Sequence, residues 1–386
     1  MLKKFGMALP GQVYAGEGSM AAAAEIIRKE HVKKAALFTD QGVRNSGALD
    51  GLVAVLEREG VSCRVFDQVP SEPNYRQVQE VVEAFCREPC GLIIAAGGGS
   101  VMDTAKLVSV LADGRHRVEE LLDEPSLARK TVPTLMIPTT AGTGAEATCN
   151  SIVAVPEKEL KVGIVSKEMM TDYVILDASV LKDLPFRIAA NTGMDALCHA
   201  LECYISNKAN PFSDTFAMAA LEMIFPNIEK ACRGDMEGKK QMLTAAFYGG
   251  IAIAASGTTA VHALSYPLGG KYHIPHGEAN AMLLTPVMRM NEEACRGRLA
   301  KVYDRTLSNG REQLSETEKS QAVIKKLEEL TASLEIPTSL NRYGITREDV
   351  EDLVKAGMDV KRLLDNNPKI VTEEDARNIY LGLIDG

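Results

Sequence analysis

Leu92-Ile93-Ile94-Ala95-Ala96-Gly97-Gly98-Gly99-Ser100-Val101-Met102-Asp103-Thr104-Ala105-Lys106 carries the fold in miniature. A short, uninterrupted apolar run predicts a strand buried on both faces, as in a parallel sheet. Three glycines and a serine follow, then a helix-forming stretch. Glycine lets the backbone approach a ligand closely, and the helix N-terminus offers free N–H groups and the positive end of a dipole. Together these hold a phosphate. The loop is neither Gly-x-Gly-x-x-Gly nor a loop ending in Gly-Lys-Ser/Thr, and a plain tight turn between strand and helix has the same composition.

Outward from this stretch, similar apolar runs recur at Ala35–Thr39, Val132–Ile137, Ser151–Val155 and Val174–Leu176, with helical patterns such as 76–86 between them. Strands alternating with helices predict a mainly parallel sheet covered on both faces. Beyond residue 180 the pattern changes to Ala, Leu, Met and Glu. Helices are expected over 187–206, 211–231, 238–256 and 314–334, with Pro185 and Pro211 near helix starts. Ala252–Leu264 reads as helical, and Ser308–Lys319 as an exposed connection. The expected fold is α/β plus all-α, with an α/β domain over 1–180 and a helical domain over 181–386.

Composition agrees with two globular domains: 386 residues, 46% hydrophobic and 25% charged. With 43 basic and 52 acidic residues, the net charge of −9 argues against nucleic-acid binding. No apolar run approaches the ~18 residues of a membrane helix, and Met1–Gly6 lacks the apolar segment of a signal peptide. Eight cysteines without a Cys-x-x-Cys pair read as reduced, buried thiols in a cytoplasmic protein.

A second glycine loop, Pro138-Thr139-Thr140-Ala141-Gly142-Thr143-Gly144-Ala145-Glu146, also follows a strand. Its hydroxyls suit phosphate and ribose, so Thr139, Thr140 and Thr143 join Gly97, Gly98, Gly99 and Ser100 as candidate nucleotide contacts at the strand ends. Asp40 ends another strand, where a carboxylate would bind ribose hydroxyls and repel a 2′-phosphate; Asp is also an ordinary helix N-cap. In the helical half, Asp195 and His199 are spaced i, i+4, and His262 and His276 follow. One carboxylate and three imidazoles make a divalent-metal set, although a single helical histidine is more often a packing residue.

These motifs, in this order, resemble the iron-dependent (group III) alcohol dehydrogenases. The resembling segments are Gly97–Ser100 with Asp103 and Lys106, then Pro138–Glu146 with Ala145 in a serine position. Gly193–Glu202, His262–Gly270, Pro275-His276-Gly277 and Asn366-Asn367-Pro368-Lys369 follow. The resemblance implies a dehydroquinate synthase-like fold, with an N-terminal nucleotide-binding domain and a C-terminal metal-binding domain. It implies NAD(H) as cofactor and one divalent ion, Fe2+ with Zn2+ as the alternative, on Asp195, His199, His262 and His276. It adds Asp103 and Lys161 as nucleotide contacts and Asn150, Tyr266 and Leu363 as pocket residues. The expected reaction joins a small primary alcohol, diol or ω-hydroxy acid to its aldehyde. The expected assembly is a homo-oligomer, with neither nucleic acid nor membrane as partner. Tyr266 stands where many members have a proton-relaying histidine. Tyr266 and His273 are the candidate catalytic proton donors, with His273 expected to matter more because an imidazole titrates near neutral pH, and Lys271 adds charge nearby; Lys271 and His273 read equally as solvated loop residues. Glycerol dehydrogenase-like or dehydroquinate synthase-like chemistry, or an inactive nucleotide sensor, would use the same fold.

Overall fold

The computed structural model describes residues 5–310 and 313–385. The chain forms two compact units: Met7–Leu184, and the chain from Pro185 onward together with Phe5 and Gly6. The division falls after Leu184 because the turn Ala178–Leu181 stays with the sheet, whereas Pro185 caps the first long helix. Phe5 joins the helical unit through its ring, 5.4 Å from that of Phe212.

The first unit contains strands β1 (Gln12–Ala15), β2 (Lys34–Phe38), β3 (Ser62–Phe66), β4 (Leu92–Gly97), β5 (Thr134–Pro138), β6 (Asn150–Val155), β7 (Leu160–Val165) and β8 (Tyr173–Leu176). Its helices are α1 (Ala22–Lys29), α2 (Gln41–Asn45), α3 (Asp50–Arg58), α4 (Tyr75–Arg87), α5 (Gly99–Leu111) and α6 (Val118–Asp123). Six strands form one parallel sheet in the order β1-β8-β5-β4-β2-β3. Strands β4, β5 and β8 are buried throughout, as double-sided cover requires. Phe38, Phe85, Met102, Leu107 and Met136 lie in the core cluster of this unit.

Ser151–Val155, expected in the parallel sheet, instead belongs to a separate ribbon, β6 paired antiparallel with β7. Burial alternates along β6, the mark of a strand covered on one face only. The ribbon is fastened to α5 by a fully buried Lys106, whose ammonium donates to Asp103 Oδ1 (3.2 Å), Thr148 Oγ1 (3.1 Å) and the Asn150 carbonyl (2.8 Å). Asp103 in turn accepts from Ile152 N at 2.9 Å. A buried ammonium is tolerable because its three donors all find acceptors.

The second unit contains α7 (Phe186–Ile205), α8 (Pro211–Cys232), α9 (Met236–Ser256), α10 (Ala260–Tyr272), α11 (His276–Thr306), α12 (Glu316–Ser333), α13 (Val350–Met358), α14 (Lys361–Leu364) and α15 (Glu373–Asp385). Ala252–Leu264 is two helices rather than one. Gly257, at φ +75°, ends α9, and α10 begins at Ala260. The connection expected over 308–319 shortens because Ser315 and Glu318 form a capping box that starts α12 at Glu316; Arg311 and Glu312 lie outside the described residues. All eight cysteines are free, but Cys63 is exposed on the edge strand β3, contrary to the expectation of burial. Among the described residues, no helix is long and apolar enough to cross a membrane.

Gly97 ends β4 where a Cβ would stand 2.6 Å from Val101 Cβ. Val101 is β-branched and stiff in its helix, so it has no easy rotamer escape. Gly97→Ala should therefore destabilise the protein by about 1–3 kcal/mol, read as a lowered thermal midpoint. An unchanged midpoint would show that the loop yields.

Candidate metal centre and nucleotide loops

Helix α7 places Asp195, His199 and Glu202 at i, i+4 and i+7, on one face. His262 lies in the first turn of α10, and His276 opens α11. The fold brings the four expected ligands together, one ligand atom of each lying within 4.8 Å of the others. Asp195 Oδ1 lies 3.7 Å from His199 Nε2, 3.9 Å from His262 Nε2 and 3.8 Å from His276 Nε2. Such spacing leaves room for a single ion, whose bonds to N and O run about 2.0–2.2 Å. The rings of His199 and His262 stack at 4.7 Å.

The donor chemistry fits a cation. Asn280 Nδ2, one turn along α11 from His276, meets Asp195 Oδ1 at 2.8 Å, His262 Nε2 at 3.1 Å and His276 Nε2 at 3.2 Å. An amide nitrogen has two hydrogens for these three acceptors, so lone pairs converge there in excess of the local donors. Burial would raise the Asp195 carboxyl, but the three imidazoles and Asn280 hold it below its ordinary range.

Glu202 was not singled out from the sequence as a functional residue. It is fully buried, and its Oε2 pairs with His262 Nδ1. Its Oε1 accepts from Thr259 N (2.9 Å), Thr259 Oγ1 (2.7 Å) and Val261 N (2.9 Å). With Nδ1 engaged by a carboxylate, His262 presents the Nε2 lone pair to the centre. The available signal was its i+3 spacing from His199; Asn280, at i+4 from His276, had the same kind of signal. Gly277 lies where any Cβ would overlap the Asn191 carbonyl oxygen, so α11 can approach α7 only with glycine there. Glu278 secures that approach, accepting from Arg187 NH2 (3.1 Å), Asn191 Nδ2 (3.1 Å) and the Tyr343 hydroxyl. The Asn366-Asn367 segment is structural. Asn366 Nδ2 donates to the Thr258 carbonyl at 2.8 Å, steadying the turn into α10, and Asn367 exchanges two hydrogen bonds with Asn291.

Tyr266 is buried in α10 with its ring 6.3 Å from that of His276. His273 is exposed at the C-cap of α10, in the left-handed region at φ +55°. Lys271 is paired with Asp352 at 3.2 Å and lies over the Tyr272 ring. Leu363 is buried in α14, which packs on α10.

In the first unit, Gly97 pairs with Pro138 across β4 and β5, so both glycine loops leave neighbouring strand ends. Thr139 N donates to the Gly97 carbonyl at 3.0 Å, and a Cβ on Gly99 would stand 2.9 Å from Thr143 Cγ2. Strand β2, on the other flank of β4, delivers Thr39 and Asp40 to the same edge. The buried hydroxyls of Thr39, Thr139 and Thr140 have no hydrogen-bond partner among the described residues. Such orphans fit a polar ligand such as a nucleotide. Asp40 Oδ1 caps α2 by accepting from Val43 N at 2.9 Å. Lys161 pairs with Glu72 at 2.7 Å, and Glu72 N donates to Ser100 Oγ. The Asp103 carboxylate does not face the loop edge; it is spent on Ile152 and Lys106. Asn150 opens β6 and gives its carbonyl to Lys106. Burial pushes the Glu146 carboxyl up to about 7.

Two family models match the chain: iron-containing alcohol dehydrogenase over residues 10–178, and the C-terminal part of the iron-containing alcohol dehydrogenase family over 189–383. Long-chain-alcohol dehydrogenase 1 of Geobacillus thermodenitrificans is 34% identical over 377 residues, 96% of this chain and 94% of that protein. The NAD-dependent methanol dehydrogenase of Bacillus methanolicus is 29% identical, covering 96% of this chain and 97% of that one. The crystal structure of a 1,3-propanediol oxidoreductase superposes with a TM-score of 0.93 at 29% identity, covering 99% of this chain and 100% of that one. The chain belongs to the iron-containing alcohol dehydrogenase family and is a metal-dependent alcohol dehydrogenase.

Removing the Glu202 charge should weaken the ligand that it orients. Glu202→Gln should lower metal affinity about 10–100-fold in a chelator competition; parental affinity would mean that the pair serves folding alone. A second expectation concerns pH. Burial opposes charge on His262, but Glu202 and Asp195 override it and raise the imidazole above its ordinary pKa. This raised folded-state value adds stability to metal-free protein below the unfolded histidine pKa, and that stability is lost as pH rises through the folded value. A metal must displace the same proton. The gain in thermal midpoint on loading metal should therefore be larger at about pH 8 than at about pH 6; an equal or reversed gain would contradict the assignment.

Proposed function

We propose that the protein transfers hydride reversibly between NAD(H) and a short primary alcohol and its aldehyde, using one Fe2+ held by Asp195, His199, His262 and His276. The convergence of these four donors on one point carries this reading. The set also suits Zn2+. When bound, the ion polarises a carbonyl oxygen and NADH supplies the hydride.

The chain's own residues bind, orient and protonate. Glu202 keeps His262 in the ligating tautomer, and Asn280 steadies the ligand atoms. Gly97, Gly98, Gly99 and Ser100 offer close backbone approach to a pyrophosphate, with Thr139, Thr140 and Thr143 as hydroxyl donors. In this reading Lys161 contributes charge to the phosphates, whereas Asp103 acts from within by holding the β6–β7 ribbon. Asp40 caps its helix and keeps a negative charge at the ribose end, disfavouring a 2′-phosphate. Proximity to His276 supports Tyr266 as the proton donor, and exposure at the helix end limits His273 to action through water. Tyr266 and Leu363 contribute to the substrate pocket of the helical unit. The reading includes a 1–180 nucleotide domain and a 181–386 metal domain, a cytoplasmic setting that keeps the eight free thiols reduced, and a homodimer.

Anaerobic Fe2+ loading followed by NADH oxidation with short aldehydes tests the reading. Turnover is expected only with metal, and His262→Ala should lose both metal and activity. Asp40→Gly should raise efficiency with NADPH relative to NADH. Full activity of metal-free His262→Ala overturns the metal reading, and equal use of both cofactors by the unaltered protein overturns the role of Asp40.

A further inference from the structure

The segment that leads into α4 bridges two groups that the reading above gives to the nucleotide phosphates. Glu72 N donates to Ser100 Oγ at 3.0 Å, in the first turn of α5. The Glu72 carboxylate reaches Lys161 Nζ on β7 at 2.7 Å. Lys161 is buried, and among the described residues it has no other ion-pair partner. The next residue, Pro73, is fastened to the ribbon: its carbonyl accepts from Ala154 N at 3.0 Å, and Ala154 pairs with Lys161 across β6 and β7. Glu72 itself has φ +52°, where residues with a Cβ are uncommon. It also precedes a proline, which restricts its backbone further. Such a conformation persists only where its surroundings hold it, and it is found at ligand clamps and switch segments.

We propose that Glu72 is an affinity-determining residue of the nucleotide site, a built-in anion that holds Lys161 until the phosphates of NAD(H) take its place. This rests on the nucleotide reading above and adds regulation of the same site. An ammonium 2.7 Å from a carboxylate is already neutralised. A pyrophosphate that approaches it therefore gains little attraction and meets the like charge of Glu72 besides. Exchange of one anion for the other is feasible because an ammonium is a compact charge that accepts either oxyanion. Release is favoured by the backbone, since Glu72 is kept at positive φ by its contacts with Ser100 and Lys161 rather than by its own preference. Glu72 thus makes the protein bind its cofactor less tightly than the same loops would without it.

The chain contains no Trp, so NADH fluorescence reports binding directly on metal-loaded, full-length protein without aldehyde. Glu72→Gln keeps the shape and removes the charge. It should tighten NADH about 3- to 30-fold, between the limits set by exposed and buried ion pairs. Glu72→Asn, whose side chain tolerates positive φ, should do the same. Titration calorimetry should show the gain for ADP-ribose but not for adenosine, which lacks the pyrophosphate. In a Lys161→Met background the gain should shrink, because the two residues act as a pair. An equal gain for adenosine, or an undiminished gain without Lys161, overturns the proposal. Unchanged or weaker NADH binding by Glu72→Gln also overturns it and leaves the nucleotide reading standing, since the carboxylate would then steady Lys161 or serve folding alone. Should neither variant fold, hydrogen exchange of the parent decides. NADH should protect the amides of residues 98–100 and speed exchange at Glu72, and protection at both overturns the proposal. A parent that binds neither NADH nor ADP-ribose overturns the nucleotide reading and the proposal together.

Discussion

Four lone pairs aimed at one buried point are an unfavourable arrangement for a protein without a cation, and the helical unit is organised around that demand. Asp195 is almost completely enclosed, and its three imidazole neighbours come from three different helices. Holding them there takes a continuous set of supports. Glu202 fixes the His262 ring, Thr259 and Val261 fix Glu202, and Asn366 fixes the turn before Thr259. Gly277 lets α11 come close enough to α7 for His276 to join, and Glu278 grips α7 through Arg187 and Asn191. Glu202 and Glu278 are polar groups satisfied in a dry place, where an unmet hydrogen bond costs about 1–3 kcal/mol. The centre is therefore rigid before any ligand arrives, which a catalytic metal site requires.

The first unit meets a different demand with backbone rather than side chains. A parallel sheet points all its strand ends one way, so the register of β4 with β5 and of β4 with β2 sets three loops side by side. Glycine is needed at 97 and 99 because neighbouring side chains already fill the space that a Cβ would take. The buried Lys106–Asp103 pair stabilises this edge from behind by tying the β6–β7 ribbon to α5. Charge is thus spent on architecture inside the unit, while unpartnered hydroxyls are left at the edge for a ligand.

The strand Leu92–Ala96, its glycines and the long helices α7, α8 and α9 were legible because each is a local pattern: an apolar run, a turn residue, a 3.6-residue period. The four candidate metal ligands were legible because their residue types are chemically restricted. Ser151–Val155 was misassigned because apolarity alone does not tell a sheet strand from a hairpin strand, and the partner β7 settles that. The end of α9 at Ser256 matches the helix expected over 238–256, whereas the pattern Ala252–Leu264 ran through Gly257 because a positive φ is a property of the folded backbone.

By itself, then, the sequence determined the two-part α/β and helical organisation, the phosphate-type loops and the ligand set, since these follow from local periodicity and side-chain chemistry. Only the tertiary structure decided what those side chains do to one another. It made Glu202 and Asn280 the supports of the centre, turned Asp103 inward and spent Lys271 on Asp352. The physical reason is that pairing depends on distances of a few ångströms between residues far apart in the chain, which neither spacing nor composition encodes.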